Sequence, residues 1–169
     1  MKNIILVGFM GVGKSAVANF LKENRNMTVI DTDYLIEEKE GCSIQKIFKK
    51  KGEPYFRSLE TRLLEELNTQ SLSNTVISCG GGMVLDPANV TLMEKLGGVV
   101  VLTATPETIY QRVKNCKNRP LLDNNMDVKY IGNLLDKRKE FYEKASMIQI
   151  KTDNKTIEEV CQELLSALG

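Results

Sequence analysis

Short apolar segments alternate with longer amphipathic segments along this chain. Runs of aliphatic and β-branched residues predict strands at residues 4–7, 28–31, 75–79, 99–102 and 147–150. Helical spacing of apolar residues predicts helices at residues 14–23, 32–39, 43–50, 54–67, 106–114, 128–145 and 156–168, with a further helix beginning near Asp86 and Pro87. This alternation predicts a single three-layer α/β/α domain, residues 1–169, built on a parallel sheet of five strands.

The first predicted strand is followed at once by a glycine-rich segment. Residues 8–15, GFMGVGKS, match the pattern G-x-x-x-x-G-K-[ST] between a strand and a helix. In such a loop the backbone N–H groups and the helix N-terminus bind phosphate, Lys14 reaches the β- and γ-phosphates, and the Ser15 hydroxyl ligates Mg²⁺. The motif predicts a nucleotide site but not which reaction follows. Its expected ATP-binding residues are Gly11, Val12, Gly13, Lys14, Ser15 and Ala16.

Two carboxylates follow the second predicted strand. Asp31 and Asp33 are separated by one residue, so both would project the same way if the chain stayed extended. One could then support the water shell of the metal, and the other could face an incoming hydroxyl. The alternative is a helix N-cap with an acidic neighbour. Because ligands of such folds bind at the carboxyl ends of the strands, we favour a role in the site.

Two arginines lie on or beside the apolar faces of predicted helices. Arg57 borders an apolar stripe, three residues before Glu60, which falls inside that stripe. Arg138 projects close to the centre of the apolar face of the helix at 128–145. A lone buried charge is too costly, so each arginine either forms a structural ion pair or binds an anion. Glu60 is the expected partner of Arg57, whereas both explanations remain open for Arg138.

Three consecutive glycines, Gly80, Gly81 and Gly82, follow the third predicted strand. They permit a ligand to approach the backbone closely, whereas a tight turn would need only one or two glycines. This strand does not end in an Asp that could support a metal. The expected acidic contribution to the metal therefore moves to Asp31.

The composition restricts the chemistry more than the partners. The chain contains no histidine, so proton transfer must rely on Asp, Glu, Lys, Tyr or Cys. A formal net charge of +1 gives no reason to expect nucleic acid or an anionic membrane as a partner. The four cysteines form no C-x-x-C pair, which argues against zinc, and their wide spacing favours the reducing cytoplasm over a disulfide scaffold. No segment approaches transmembrane length.

Taken together and in order, these features resemble the shikimate kinase family over essentially the whole chain. The glycine-rich loop is common to many nucleotide-binding proteins, but the combination of Asp-x-Asp, Gly-Gly-Gly and Arg-Pro-Leu-Leu is specific. The matching segments are residues 8–15, Asp31 to Asp33, Phe56 and Arg57 with Glu60, Gly80 to Gly82, Arg112, Arg119 to Leu122, and Arg138 with Tyr142.

The resemblance implies transfer of the γ-phosphoryl group of ATP to the 3-hydroxyl of shikimate, on the route to chorismate and aromatic amino acids, with Mg²⁺ as cofactor. It implies the nucleoside monophosphate kinase fold with strand order 2-3-1-4-5 and a substrate-binding region at about residues 32–62. The polar segment at about 114–127 is expected to be a lid, and the protein is expected to be a monomer.

The resemblance also assigns roles to individual residues. The expected catalytic residues are Lys14, Asp33 and Arg119, with Arg119 on the lid and Asp33 facing the acceptor hydroxyl. Arg112 is expected to stack on adenine, and Asp31 to order Mg²⁺ through water. The residues expected to bind shikimate are Asp33, Arg57, Gly80, Gly81, Gly82 and Arg138.

Two other functions remain open on the residues alone. One is a kinase of the same fold that acts on gluconate or on a nucleoside monophosphate, which a screen of acceptors would separate. The other is a nucleotide-controlled switch that binds a protein partner, although the chain lacks the N-K-x-D motif that reads guanine. Rapid ATP turnover that depends on a small acceptor would exclude the switch.

Overall fold

The computed structural model describes residues 3–114 and 127–169. Its strands are β1 (Ile4–Val7), β2 (Thr28–Asp31), β3 (Thr75–Ser78), β4 (Gly98–Thr103) and β5 (Ile148–Lys151). Its helices are α1 (Lys14–Arg25), α2 (Thr32–Glu40), α3 (Ile44–Lys51), α4 (Glu53–Asn68), α5 (Pro87–Leu96), α6 (Pro106–Val113), α7 (Val128–Ala145) and α8 (Ile157–Leu168). A single 3₁₀ turn, Met83–Leu85, follows β3.

The five strands form one parallel sheet in the order β2-β3-β1-β4-β5. This order confirms the prediction. Strand β1 lies at the centre, where Ile5 is paired with Ile77 of β3 and Val99 of β4. Because every strand runs in the same direction, the residues that follow the strands meet at one edge of the sheet.

Helices cover both faces of the sheet, which explains why its central strands are almost purely aliphatic. Alternate residues of β1 enter different cores, with Ile4 and Leu6 on one face and Ile5 and Val7 on the other. The first core is closed by residues of α1 and α8, and the second by residues of α4 and α5. A three-layer α/β/α architecture follows.

Helix α1 differs from most of its neighbours at its N-terminus. Side chains cap the first turns of α5, α6 and α8, where Asp86, Thr105 and Thr156 each accept a backbone N–H. Gly13 precedes α1 in a left-handed conformation, and among the described residues no side chain caps that helix. The first N–H groups of α1 therefore remain available to a ligand.

The structure differs from the sequence predictions mainly at element boundaries. Strand β3 ends at Ser78, one residue earlier than expected, and β5 is shifted by one residue. The predicted lid lies almost entirely outside the described residues, as does Arg119. Within residues 3–114 and 127–169, no helix is both long and apolar enough to cross a membrane.

Candidate active site

A cavity of about 1200 Å³ lies at the carboxyl ends of the strands. It extends from the glycine-rich loop past the end of β2 to α4, the triple glycine and α7. The sequence-predicted residues that line it are Gly11, Gly13, Lys14, Ser15, Ala16, Asp31, Asp33, Arg57, Gly80, Gly81, Gly82, Arg112 and Arg138. The Val12 side chain is buried in the core and does not line the cavity, and its expected part in ATP binding through the backbone stays a prediction.

Several lining residues were not singled out from the sequence. Helix α3 contributes an apolar wall through Ile44 and Phe48, and the Phe48 and Phe56 rings lie 4.9 Å apart between centroids. The apolar residues of the segment 43–50 fall on one face of a helix, which could have indicated a buried wall. The pattern does not indicate that this face meets the cavity.

The glycine-rich loop forms a compact phosphate cradle. Gly8, Gly11 and Gly13 adopt φ values of +146°, +78° and +106°, which favour glycine. A Cβ atom on Gly8 would lie 2.4 Å from the Leu102 carbonyl oxygen. The Lys14 ammonium donates to the carbonyl oxygens of Gly8 at 2.7 Å and Phe9 at 3.2 Å, so the charge is held over the loop. This arrangement is suited to bind phosphate.

Arg112 and Thr152 hold the carbonyl side of this loop. One Arg112 nitrogen donates to the carbonyl oxygens of Gly11 at 3.1 Å and Val12 at 3.2 Å, and to the Thr152 hydroxyl at 3.0 Å. The buried Thr152 hydroxyl donates to the Val12 carbonyl at 2.9 Å. Sequence reasoning missed Thr152 because it lies 140 residues from Val12. The stacking of Arg112 on adenine stays a prediction.

Asp31 and Asp33 both reach the cavity, but not in the way that an extended chain would place them. Helix α2 begins at Thr32, and an Asp31 oxygen accepts the backbone N–H of Tyr34 at 3.0 Å. The capping alternative is therefore correct for Asp31, which also borders the cavity. Asp33 lies in the first turn of α2, as the helix predicted from Thr32 requires, so the chain does not stay extended through both carboxylates.

Asp33 presents a buried oxygen that lacks a hydrogen-bond partner. Within the described parts of the chain, its Oδ1 atom is the one buried side-chain polar atom without a donor. Burial raises the pKa of Asp33, and the nearby Asp31 carboxylate raises it further, while Lys14 acts in the opposite direction. Because an unsatisfied buried acceptor is unfavourable, a ligand that donates a hydrogen bond here would be stabilised.

Arg57 is held by two carboxylates of its own helix. It donates to Glu60 at 2.7 Å and to Glu53 at 3.0 Å. The expected pairing of Arg57 with Glu60 is confirmed. Glu53 was missed, although its position four residues earlier on the helix could have indicated it. Glu60 is only 1% exposed, and burial raises its pKa to about 7 against the opposing effect of Arg57.

The triple glycine provides space rather than an unusual backbone. None of the three has a positive φ, and Gly82 has φ −98°. A Cβ on Gly80 would lie 2.8 Å from Asp33 Oδ1, and one on Gly82 would lie 2.4 Å from an Arg57 nitrogen. The glycines thus let two charged side chains approach the turn after β3.

Arg138 lies on the same stripe of α7 as the buried residues Ile131, Tyr142 and Ala145. It is half-buried, borders the cavity, and its guanidinium carbon lies 5.7 Å from the centroid of the Phe9 ring. None of the ion pairs formed within residues 3–114 and 127–169 includes Arg138. This arrangement favours the anion-binding explanation over a structural salt bridge.

The fold and the phosphate cradle define a P-loop kinase. A family model described as shikimate kinase matches residues 10–169. The chain is 46% identical to a shikimate kinase of Dehalococcoides mccartyi, with 96% of this chain and 90% of that protein covered. It is 44% identical to one of Sulfurihydrogenibium, with coverage of 99% and 98%. The chain belongs to the shikimate kinase family.

A solved structure agrees with this assignment. Shikimate kinase from Acinetobacter baumannii, determined in complex with shikimate, superimposes with a TM-score of 0.90 and 34% sequence identity. The match covers 98% of this chain and 92% of that one.

Proposed function

We propose that this protein transfers the γ-phosphoryl group of ATP to the 3-hydroxyl of shikimate, a step of chorismate and aromatic amino acid biosynthesis. The observation that carries the proposal is the shared cavity, in which the phosphate loop lies together with the unpartnered oxygen of Asp33. Membership of the shikimate kinase family and similarity to a protein solved with shikimate support this acceptor.

The phosphate loop would bind and position ATP. Its N–H groups and the open N-terminus of α1 would bind phosphate oxygens, while Lys14 would exchange its carbonyl partners for phosphate oxygens. Phosphoryl transfer relies on positioning and on stabilising charge, both of which this loop supplies. Arg119 would also bind ATP and take part in catalysis, as the sequence predicts.

The acceptor would bind between Asp33 and the two arginines. Its reacting hydroxyl would donate to the Asp33 oxygen, which orients the hydroxyl and accepts its proton. Because the pKa of the Asp33 carboxyl is raised, it lies closer to the pKa that suits a general base. Arg57 and Arg138 would bind the carboxylate of shikimate, because a guanidinium matches a carboxylate in bidentate geometry. The backbone of Gly80 to Gly82 would line the recess between them.

The residues present fit Mg²⁺ as the cofactor. Ser15 and Asp31 offer hard oxygen atoms to the cavity that contains the phosphate cradle, and Ser15 would hold the ion directly and Asp31 through water. In the part of the chain that the structure describes, no cluster of three His, Cys, Asp or Glu residues could hold a metal. This is consistent with Mg²⁺, which keeps several waters and binds mainly through substrate phosphates. When bound, the ion would neutralise charge on those phosphates.

We further propose that residues 1–169 act as a single domain and as a monomer in the cytoplasm. The substrate-binding region would be residues 32–62 and the lid residues 114–127. Free thiols at Cys42, Cys79 and Cys161 support a reducing compartment.

The test is ADP release in a coupled assay with MgATP, with and without shikimate. Gluconate and a nucleoside monophosphate serve as competing acceptors, and Lys14→Ala reports any contaminating kinase. Shikimate should accelerate ADP release of the wild type by orders of magnitude and leave Lys14→Ala slow. Slow ATP hydrolysis that is indifferent to shikimate would contradict the proposal.

A further inference from the structure

Tyr142 occupies a position that the catalytic roles above do not use. It lies one turn after Arg138 on α7 and is 6% exposed. Its hydroxyl donates a hydrogen bond of 2.6 Å to the carbonyl oxygen of Gly81. Gly81 lies 61 residues away in the chain, so this bond ties α7 to the turn after β3.

Arg138 precedes Tyr142 by four residues on α7, a spacing that brings two side chains of one helix together. Burial raises the pKa of Tyr142, and the positive charge of the nearby Arg138 opposes that rise. A guanidinium can only donate, and the single hydroxyl proton of Tyr142 is already engaged by Gly81. The lone pairs of the hydroxyl are therefore the part that is available to Arg138. One oxygen atom, already bonded to the backbone of the triple glycine, is thus placed to accept a hydrogen bond from an arginine of the cavity.

Gly81 is in turn close to the phosphate cradle. A Cβ on Gly81 would lie 3.1 Å from the Gly8 carbonyl oxygen and 3.6 Å from the Tyr142 hydroxyl. The Gly8 carbonyl accepts a hydrogen bond from Lys14. The turn is thus packed between the phosphate loop and Tyr142, and a shift of Gly81 would alter the recess beside both.

We propose that Tyr142 is a positioning residue for the acceptor, because its hydroxyl holds the Arg138 guanidinium and the Gly81 carbonyl in one fixed arrangement. This inference rests on the proposed function. Arg138 has a long side chain whose ordering opposes binding, and a partner that orders it beforehand lowers that entropic penalty. The hydroxyl should therefore strengthen binding of the acceptor and contribute little to the chemical step.

Tyr142→Phe removes this oxygen and keeps the buried ring. We expect the KM for shikimate to rise about tenfold, the loss typical of one hydrogen bond to a charged group. The kcat should change less than about threefold and the KM for ATP should not change, because ground-state binding alone is affected. Tyr110→Phe is the matched control. Tyr110 lies on α6, outside residues 32–62 and outside the cavity lining, so both KM values should stay at the wild-type level.

Two further readouts separate positioning from a merely structural role. One readout uses an analogue of shikimate that carries a neutral amide in place of the carboxylate. The preference of the enzyme for shikimate over this amide should shrink in Tyr142→Phe, because Arg138 is less well oriented. Combining Tyr142→Phe with Arg138→Lys should raise the KM less than the two single effects multiplied together. A variant with wild-type KM and wild-type acid preference would overturn the proposal, even if its melting temperature falls.

The outcomes distinguish this inference from the proposed function. If the wild type releases no ADP in response to shikimate, the proposed function fails. If the wild type is active and Tyr142→Phe retains its acceptor KM, the positioning role fails. Should Tyr142→Phe not fold, ¹⁹F NMR of active protein with 3-fluorotyrosine at position 142 alone gives the answer. Shikimate should shift that resonance, and an unchanged resonance under saturating shikimate would overturn the inference.

Discussion

Substitution of Gly82 by alanine tests the idea that the triple glycine makes space for a charged side chain. Gly82 has φ −98° and ψ −4°, a conformation that alanine adopts without strain. The added Cβ would lie 2.4 Å and 2.5 Å from the two terminal nitrogens of Arg57. Because these atoms end a flexible side chain, the guanidinium should move while the fold is retained.

The size of the effect follows from the contacts of Arg57. Restoring an ordinary contact with the new methyl group displaces the guanidinium by about 1 Å. Arg57 donates to Glu60 at 2.7 Å. Lengthening that donor–acceptor distance by about 1 Å takes it beyond hydrogen-bonding range. Hydrogen bonds to charged groups contribute about 1.5–3 kcal/mol, which corresponds to about 10- to 150-fold in an equilibrium constant. We expect the KM for shikimate to rise by at least about tenfold.

The assay compares steady-state KM and kcat for both substrates in Gly82→Ala and Gly132→Ala. Gly132 lies in α7. A Cβ atom added there would lie 3.7 Å from a side-chain carbon of Pro106, which is an ordinary contact. Gly132→Ala should keep wild-type kinetics and gain up to about 1 kcal/mol of stability, because alanine favours helix. A Gly82→Ala enzyme with a wild-type KM for shikimate would refute the reasoning, as would a protein that no longer folds.

Three further predictions concern Asp33, Thr152 and Glu60. Asp33→Asn should lower kcat by about 10² or more while fluorescent ATP analogues still bind, because the proton acceptor is lost. Thr152→Val should raise the KM for ATP about tenfold but not that for shikimate, because the buried Val12 carbonyl loses its 2.9 Å donor. Burial raises the pKa of Glu60 from 4.5 to about 7. Between these two pH values the folded state therefore keeps a proton that the unfolded state has released. The contribution of Glu60 to the free energy of unfolding should therefore fall as the pH rises through that range. Urea titrations of Glu60→Gln should lack this pH-dependent contribution.

Each of these predictions has a result that contradicts it. An unchanged kcat in Asp33→Asn would remove this carboxylate from the chemistry. Equal increases of both KM values in Thr152→Val would indicate a general loss of structure rather than a local effect on the phosphate loop. If Glu60→Gln and the wild type lose stability in parallel between pH 5 and pH 8, Glu60 is already ionised below that range.

The features that could be predicted from the sequence are those whose cause lies within a few consecutive residues. The strands were located to within one residue because β1, β3 and β4 are short aliphatic runs. The phosphate loop was found because its glycines, its lysine and the start of α1 are contiguous. Asp31 illustrates the limit, since a helix was expected from Thr32, but the residues alone did not decide between a cap on that helix and a role in the site.

The strand order came from the family resemblance rather than from the residues themselves. Nothing local states that β1 lies between β3 and β4, because this pairing is chosen by the packing of helices on both faces. The Arg57 pair with Glu60 was accessible, because helical spacing places the two side chains together. That Gly82 provides the room for the same guanidinium was not accessible.

The sequence by itself determined an α/β chain with a phosphate loop, two carboxylates after β2 and charged residues on helix faces that should be apolar. Only the tertiary structure decided that Asp33 keeps an unpartnered oxygen, that Thr152 bonds the phosphate loop, and that Tyr142 bonds Gly81. The last two contacts join residues 140 and 61 positions apart. Residue type and spacing report only what neighbours along the chain can do, whereas a hydrogen bond depends on where the folded backbone brings two distant atoms together.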